Sequence, residues 1–192
     1  MDLEFDKKRT ALVVIDLQKG IVGMPAQPHS TSEVVSNAAK LADAFRKNGM
    51  KVFLVHVTSS PEERPKPTAD IEAFSSSAAT QMPKDWDEIV PELGPKDGDI
   101  VITKRQWGAF YGTDLDMRLR RRGIDTIVLC GIATSIGVES TARFAYEYNY
   151  NQVFAEDAMS DRSAEMHERT LNGIFKRIGQ VRKTDEIIAA IK

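Results

Sequence analysis

A chain of 192 residues, 42% hydrophobic and 28% charged, is long enough to bury a sizeable core and has the composition of an ordinary globular protein. Its 26 basic and 28 acidic residues give a net charge of −2, without the basic excess that nucleic acid or an anionic membrane surface would require. Its single cysteine, Cys130, excludes an intramolecular disulfide; with no signal-like or membrane-length apolar run, the sequence reads as a cytoplasmic protein.

Residues 10–16 are the first predicted strand. Ser30 and Glu33 then form a capping box for a helix carrying Val34, Val35, Ala38, Leu41, Ala42 and Phe45, which Asn48-Gly49 ends. A second strand is predicted at 51–58. The crossover that follows, 59–98, holds six of the eight prolines, the Ser75-Ser76-Ser77 run and at most a short helix near 85–92. Such a crossover reads either as a lid or oligomer contact or as an irregular surface loop. Strand three covers 99–104. Thr113 caps a helix with Leu115 and Leu119 that stops at Gly123, and its basic end at 118–122 reads as a solvated helix terminus.

Strand four covers 126–132, Ser135 caps a helix at 136–148, and strand five covers 151–156. Ser163 begins a helix with Met166, Ile174, Phe175 and Ile178; residues 179–182 add an edge strand; Thr184 begins a last short helix. The strands are almost continuously apolar, as parallel strands covered on both faces are. Alternation with helices predicts one domain over 1–192, a three-layer α/β/α sandwich around a mostly parallel five- or six-stranded sheet.

Ligands of open parallel sheets bind outside the carboxyl ends of the strands. Asp16, Lys104 and the turn 132–137 all fall at such ends. Asp16 reads as a turn cap or as a buried acid with a raised pKa. Lys104 reads as a snorkelling side chain or as a cation held inside the site. Burial of Asp16 and the ammonium of Lys104 act on its pKa in opposite senses. The turn opens a helix, whose first amides offer a cradle for an anion, and Gly137 lets a ligand approach the backbone. Trp107, Phe110 and Tyr111 either wall an apolar pocket or pack beneath the long crossover. Cys130 sits within an apolar strand and reads as an inert thiol. His29, His56 and His167 have no metal-ligand spacing, and no phosphate-binding loop follows strand one. Neither a metal nor a cofactor is expected.

Three segments carry a resemblance that extends from Thr10 to about Ile178. They are Asp16-Leu17-Gln18, the run from Lys104 through Trp107 and Phe110 to Leu115, and Gly131-Ile132-Ala133-Thr134-Ser135-Ile136-Gly137 with its helix. Together they resemble the isochorismatase-like hydrolase family. The resemblance implies Asp16 and Lys104 as catalytic residues, with Gly137 where most members carry a nucleophilic cysteine. It implies Gln18, Trp107, Phe110, Ile132 and Ala133 as substrate-binding residues, and a cis peptide between Ile132 and Ala133. Keeping the acid and the lysine without the thiol resembles true isochorismatases, which hydrolyse a vinyl ether by acid catalysis and release pyruvate. The expected protein is therefore a thiol-independent hydrolase of a small molecule and a homo-oligomer. Its alternative is a degenerate member that binds a small molecule or acts through oligomer surfaces.

Overall fold

The computed structural model describes residues 3–58 and 83–191. In chain order the first elements are β1 (Thr10–Ile15), a short helix α1 (Lys19–Val22), α2 (Thr31–Lys47), β2 (Lys51–Val57), β3 (Ile100–Lys104) and α3 (Leu115–Arg120). Then come β4 (Thr126–Ile132), a π-helical turn (Thr134–Val138) that continues into α4 (Glu139–Glu147), and β5 (Asn151–Ser160). Next, α5 (Ala164–Thr170) passes through a second π-helical turn (Leu171–Phe175) to Lys176–Ile178. An edge strand β6 (Gln180–Arg182) and α6 (Thr184–Ala190) follow.

All strand pairings are parallel, in the order β3-β2-β1-β4-β5-β6. The six residues of β1 are buried, as expected of a central strand covered on both faces. Helix α2 packs on β1, β2, β4 and β5 and meets α6, whereas α4 packs on β5 and meets Lys176–Ile178. The chain leaves β1 towards β2 on one side and returns to β4 on the other. The carboxyl ends of β1 and β4 therefore border the switch point, where ligands of such sheets bind.

Local chemistry accounts for several boundaries. The Ser30 hydroxyl accepts from the Glu33 amide while the Glu33 carboxylate accepts from the Ser30 amide, so both sides of the capping box form. Gly49 closes α2 at φ 69° and Gly123 follows α3 at φ 68°. The Thr113 hydroxyl accepts from the Leu115 amide, and Ser163 caps α5 through the Met166 amide. In the basic run, Arg118 and Arg120 pair with Asp114 and Asp116 one turn earlier, at an exposed helix end.

Two expectations, the end of strand five and the Ser135 cap, are corrected. The stretch 85–92, where at most a short helix is expected, forms none. Pro83 and Pro91 bracket that stretch, and its backbone pairs with residues 17–20 instead: Lys19 N–H to Glu88 O, Gly20 N–H to Trp86 O and Val90 N–H to Leu17 O. Strand β5 runs four residues beyond 156, through a register shift against β4. Ser135 caps nothing: its Oγ is buried without a partner among the described residues, and the helix begins with a π-helical turn. The Ser75-Ser76-Ser77 run and the prolines at 61–67 lie outside the described residues. Among those described, no helix is long and apolar enough to cross a membrane.

Candidate active site

Asp16 leaves the end of β1 in the left-handed region, at φ 55°. Aspartate tolerates that conformation better than most residues, yet it costs about 1–2 kcal/mol, a burden often found at functional positions. The Asp16 amide is held by the Val55 carbonyl at 2.9 Å, which fixes where the side chain starts.

Lys104 ends β3, two strands away from β1, and its side chain reaches Asp16. Its Nζ lies 2.7 Å from Asp16 Oδ2 and donates to the Gln106 carbonyl at 3.0 Å. Both side chains are buried, with only a small part of Asp16 exposed, so the charges of the pair are weakly screened. Burial pushes the Asp16 carboxyl above the ordinary carboxylate range. The charge and hydrogen bond of Lys104, and the charge of His56, pull it back without reversing the shift. The other oxygen, Oδ1, is buried and has no hydrogen-bond partner among the described residues.

The turn after β4 meets this pair. Gly131, at φ 124°, makes the approach possible, because a β-carbon there would collide with the Ile15 carbonyl. The peptide between Ile132 and Ala133 is cis. Gly137 is buried, and a β-carbon added to it would lie 3.1 Å from Asp16 Oδ2, 3.1 Å from Ile15 Cγ2 and 3.5 Å from the Trp107 carbonyl. Asp16, Lys104 and Gly137, distant in sequence, thus form one cluster at the switch point.

The remaining candidates separate. Trp107 is 59% exposed, with its backbone beside Gly137. Ile132 is buried and Ala133 partly so, at the start of the turn. Gln18 has no exposed surface; its amide donates to the Val57 carbonyl at 2.9 Å and accepts from the Val57 amide at 2.8 Å. Phe110 is buried against Tyr148 and Tyr150, with ring centroids 5.5 Å and 5.7 Å away. Cys130 is fully buried within β4, and burial with the nearby charge of Asp157 pushes its thiol pKa up.

Two features lay beyond sequence reasoning. The Asp161 carboxylate accepts the Ser135 amide at 2.6 Å, and the Ala133 carbonyl accepts those of Ile136 and Val138. The expected anion cradle therefore loses three of the turn's amides. Next to it, the buried His167 Nδ1 lies 2.9 Å from Thr134 Oγ1. Neither had a signal in the sequence, where strand five is read as ending at 156, five residues before Asp161.

His56 is committed through both ring nitrogens, 2.8 Å from the Asp87 carbonyl and 2.8 Å from Thr103 Oγ1. Among the described residues no three metal-ligating side chains are grouped to hold an ion. Two open hollows lie away from Asp16, about 460 Å³ beside Met117 and Arg121 and about 620 Å³ at the amino ends of β4 and β5.

The isochorismatase domain pattern matches residues 10–186. The chain is 54% identical over 191 residues to the uncharacterized isochorismatase family protein YwoC of Bacillus subtilis, covering 99% of this chain and 98% of that one. It is 31% identical over 183 residues to a probable isochorismatase of Pseudomonas chlororaphis, covering 95% and 86%. Its backbone matches an isochorismatase family protein of Burkholderia thailandensis with a TM-score of 0.90 at 45% identity, covering 98% and 97%. The motif at 131–137, the α/β sheet and these likenesses agree: the chain belongs to the isochorismatase family of hydrolases.

Proposed function

We propose that the protein is a thiol-independent small-molecule hydrolase of isochorismatase type, acting on a vinyl ether or a related small carboxylate. The observation that carries this reading is Asp16 itself. Its carboxyl is buried and shifted towards the acid form, and it faces Gly137, which has no side chain to act as a nucleophile. With Oδ2 accepting from Lys104, the proton of the acid form resides on Oδ1, whose lone pairs have no competing donor among the described residues.

In the proposed reaction, Oδ1–H protonates the terminal carbon of the enol ether, using the electron pair of the C=C bond. The ether oxygen stabilises the resulting cation. Water adds to the cationic carbon and returns a proton to Asp16, and the hemiketal collapses into pyruvate and the ring alcohol. Asp16 serves first as general acid and then as general base. Lys104 positions Asp16 and offers positive charge to a substrate carboxylate. No covalent intermediate is needed, which agrees with a glycine at 137.

Trp107 and the Ile132–Ala133 backbone are assigned to the rim and wall of the substrate site. Gln18 and Phe110 are assigned to its frame, because the side chain of the first ties β1 to β2 and the second packs inward. Exposed Trp107, Tyr111 and Tyr148 favour a homo-oligomer in which such surfaces are covered. The test is pyruvate release from isochorismate by the purified chain and by Asp16→Asn. The substitution keeps shape but cannot shuttle a proton, and turnover should fall by about 100-fold or more. Full activity in Asp16→Asn would overturn the mechanism. Binding of small carboxylates without any turnover would instead mark a binding protein.

A further inference from the structure

The π-helical turn that sets Gly137 against Asp16 begins at Thr134, which is wholly buried. Its hydroxyl lies 3.1 Å from the Ser160 carbonyl and 2.9 Å from His167 Nδ1. A hydroxyl has one proton, and a carbonyl can only accept. The Thr134 proton therefore goes to Ser160, and the hydroxyl accepts from His167, so the network assigns the imidazole proton to Nδ1. The relay runs His167 Nδ1–H to Thr134 O–H to Ser160 C=O, linking α5 to the first residue of the turn and to the end of β5. Asp161, next in the chain, holds the adjoining Ser135 amide at 2.6 Å.

We propose that His167 is a positioning residue for the candidate site: as a neutral Nδ1–H donor it holds Thr134, and through the turn it keeps Gly137 packed over Asp16. The imidazole is 2% exposed and its ring meets that of His29 edge-on, with centroids 5.8 Å apart. Burial and the charge of His29 lower its pKa to about 4, outweighing the opposing effect of Asp161. At neutral pH the neutral donor is thus the prevailing form. An apolar side chain of similar size in place of His167 would leave the buried Thr134 hydroxyl without its donor. The proposal rests on the reading that Asp16 is the working group, although the tautomer does not.

The test uses the full chain labelled with 15N-histidine and 13C-aspartate. At neutral pH the His167 resonances should report a neutral ring protonated at Nδ1. Replacement by His167→Leu should loosen the turn, admit water to Asp16 and lower the carboxyl titration midpoint of Asp16 by about one unit, since burial is what raises it. His167→Asn places an amide donor where Nδ1 stood and should restore the wild-type midpoint. The groups facing Asp16, Lys104 and His56, are unchanged in both variants. A ring protonated at Nε2 or cationic at neutral pH would overturn the proposal. So would an Asp16 midpoint unmoved by His167→Leu, or moved equally by His167→Asn, which marks a merely structural histidine. Should His167→Leu not fold, the tautomer and His167→Asn decide: a wrong tautomer or a shifted Asp16 midpoint refutes the assignment, and the converse upholds it. Full activity of Asp16→Asn would remove the functional reading while leaving the tautomer result intact.

Discussion

Gly137 and Asp16 meet so closely that a β-carbon at residue 137 would stand 3.1 Å from Asp16 Oδ2. Ile15 Cγ2 crowds the same position at 3.1 Å, so an added methyl requires the carboxylate and the Ile15 side chain to give by a few tenths of an ångström. Gly137→Ala is therefore expected to lower turnover by about tenfold while changing stability little. The helical gain of up to about 1 kcal/mol from replacing glycine opposes the crowding. Thermal unfolding and steady-state kinetics on the same preparation check this, and unchanged turnover would place the reacting atoms elsewhere.

The pH dependence follows from the opposing effects at Asp16. Burial raises its pKa while Lys104 lowers it, and the acid form is the reactive one. Turnover should hold at low pH and fall as pH rises through the Asp16 pKa. Lys104→Met removes the ammonium that favours the carboxylate, so the falling limb should move to higher pH. The maximal rate should still drop, because Lys104 also positions the acid. A limb that stays in place or moves down would show that another group controls it.

Cys130→Ala should leave turnover unchanged and cost about 1 kcal/mol of stability, the scale expected for a small buried side chain. Its thiol is fully buried with a raised pKa, so iodoacetamide should leave the native protein active. Loss of activity on alkylation would reinstate thiol chemistry.

The fold was legible because its signals are local. The apolar runs, the Ser30–Glu33 capping box and the glycines at 49 and 123 each act within a few residues. Asp16 and Lys104 were legible as a pair because both end strands of one parallel sheet. What was hidden depends on distant partners. Ser135 looks like a helix cap in sequence, but its amide belongs to Asp161, 26 residues on. Gln18 and Phe110 sit in motifs beside the site, yet Gln18 bonds to Val57 and Phe110 packs on Tyr148 and Tyr150, contacts that no spacing in the chain announces. The stretch 85–92 was open to at most a short helix, and its backbone pairs with residues 17–20 instead.

Acid-catalysed, thiol-independent cleavage of a vinyl ether at Asp16 is decided by following isochorismate hydrolysis in 18O-labelled water with the wild-type chain, Cys130→Ala and Asp16→Asn. Protonation at carbon and capture of the cation by water predict that label enters pyruvate while the released ring alcohol keeps its original oxygen. Wild type and Cys130→Ala should do this at equal rates, and Asp16→Asn about 100-fold or more slowly. Label in the ring alcohol, or undiminished hydrolysis by Asp16→Asn, would contradict the account.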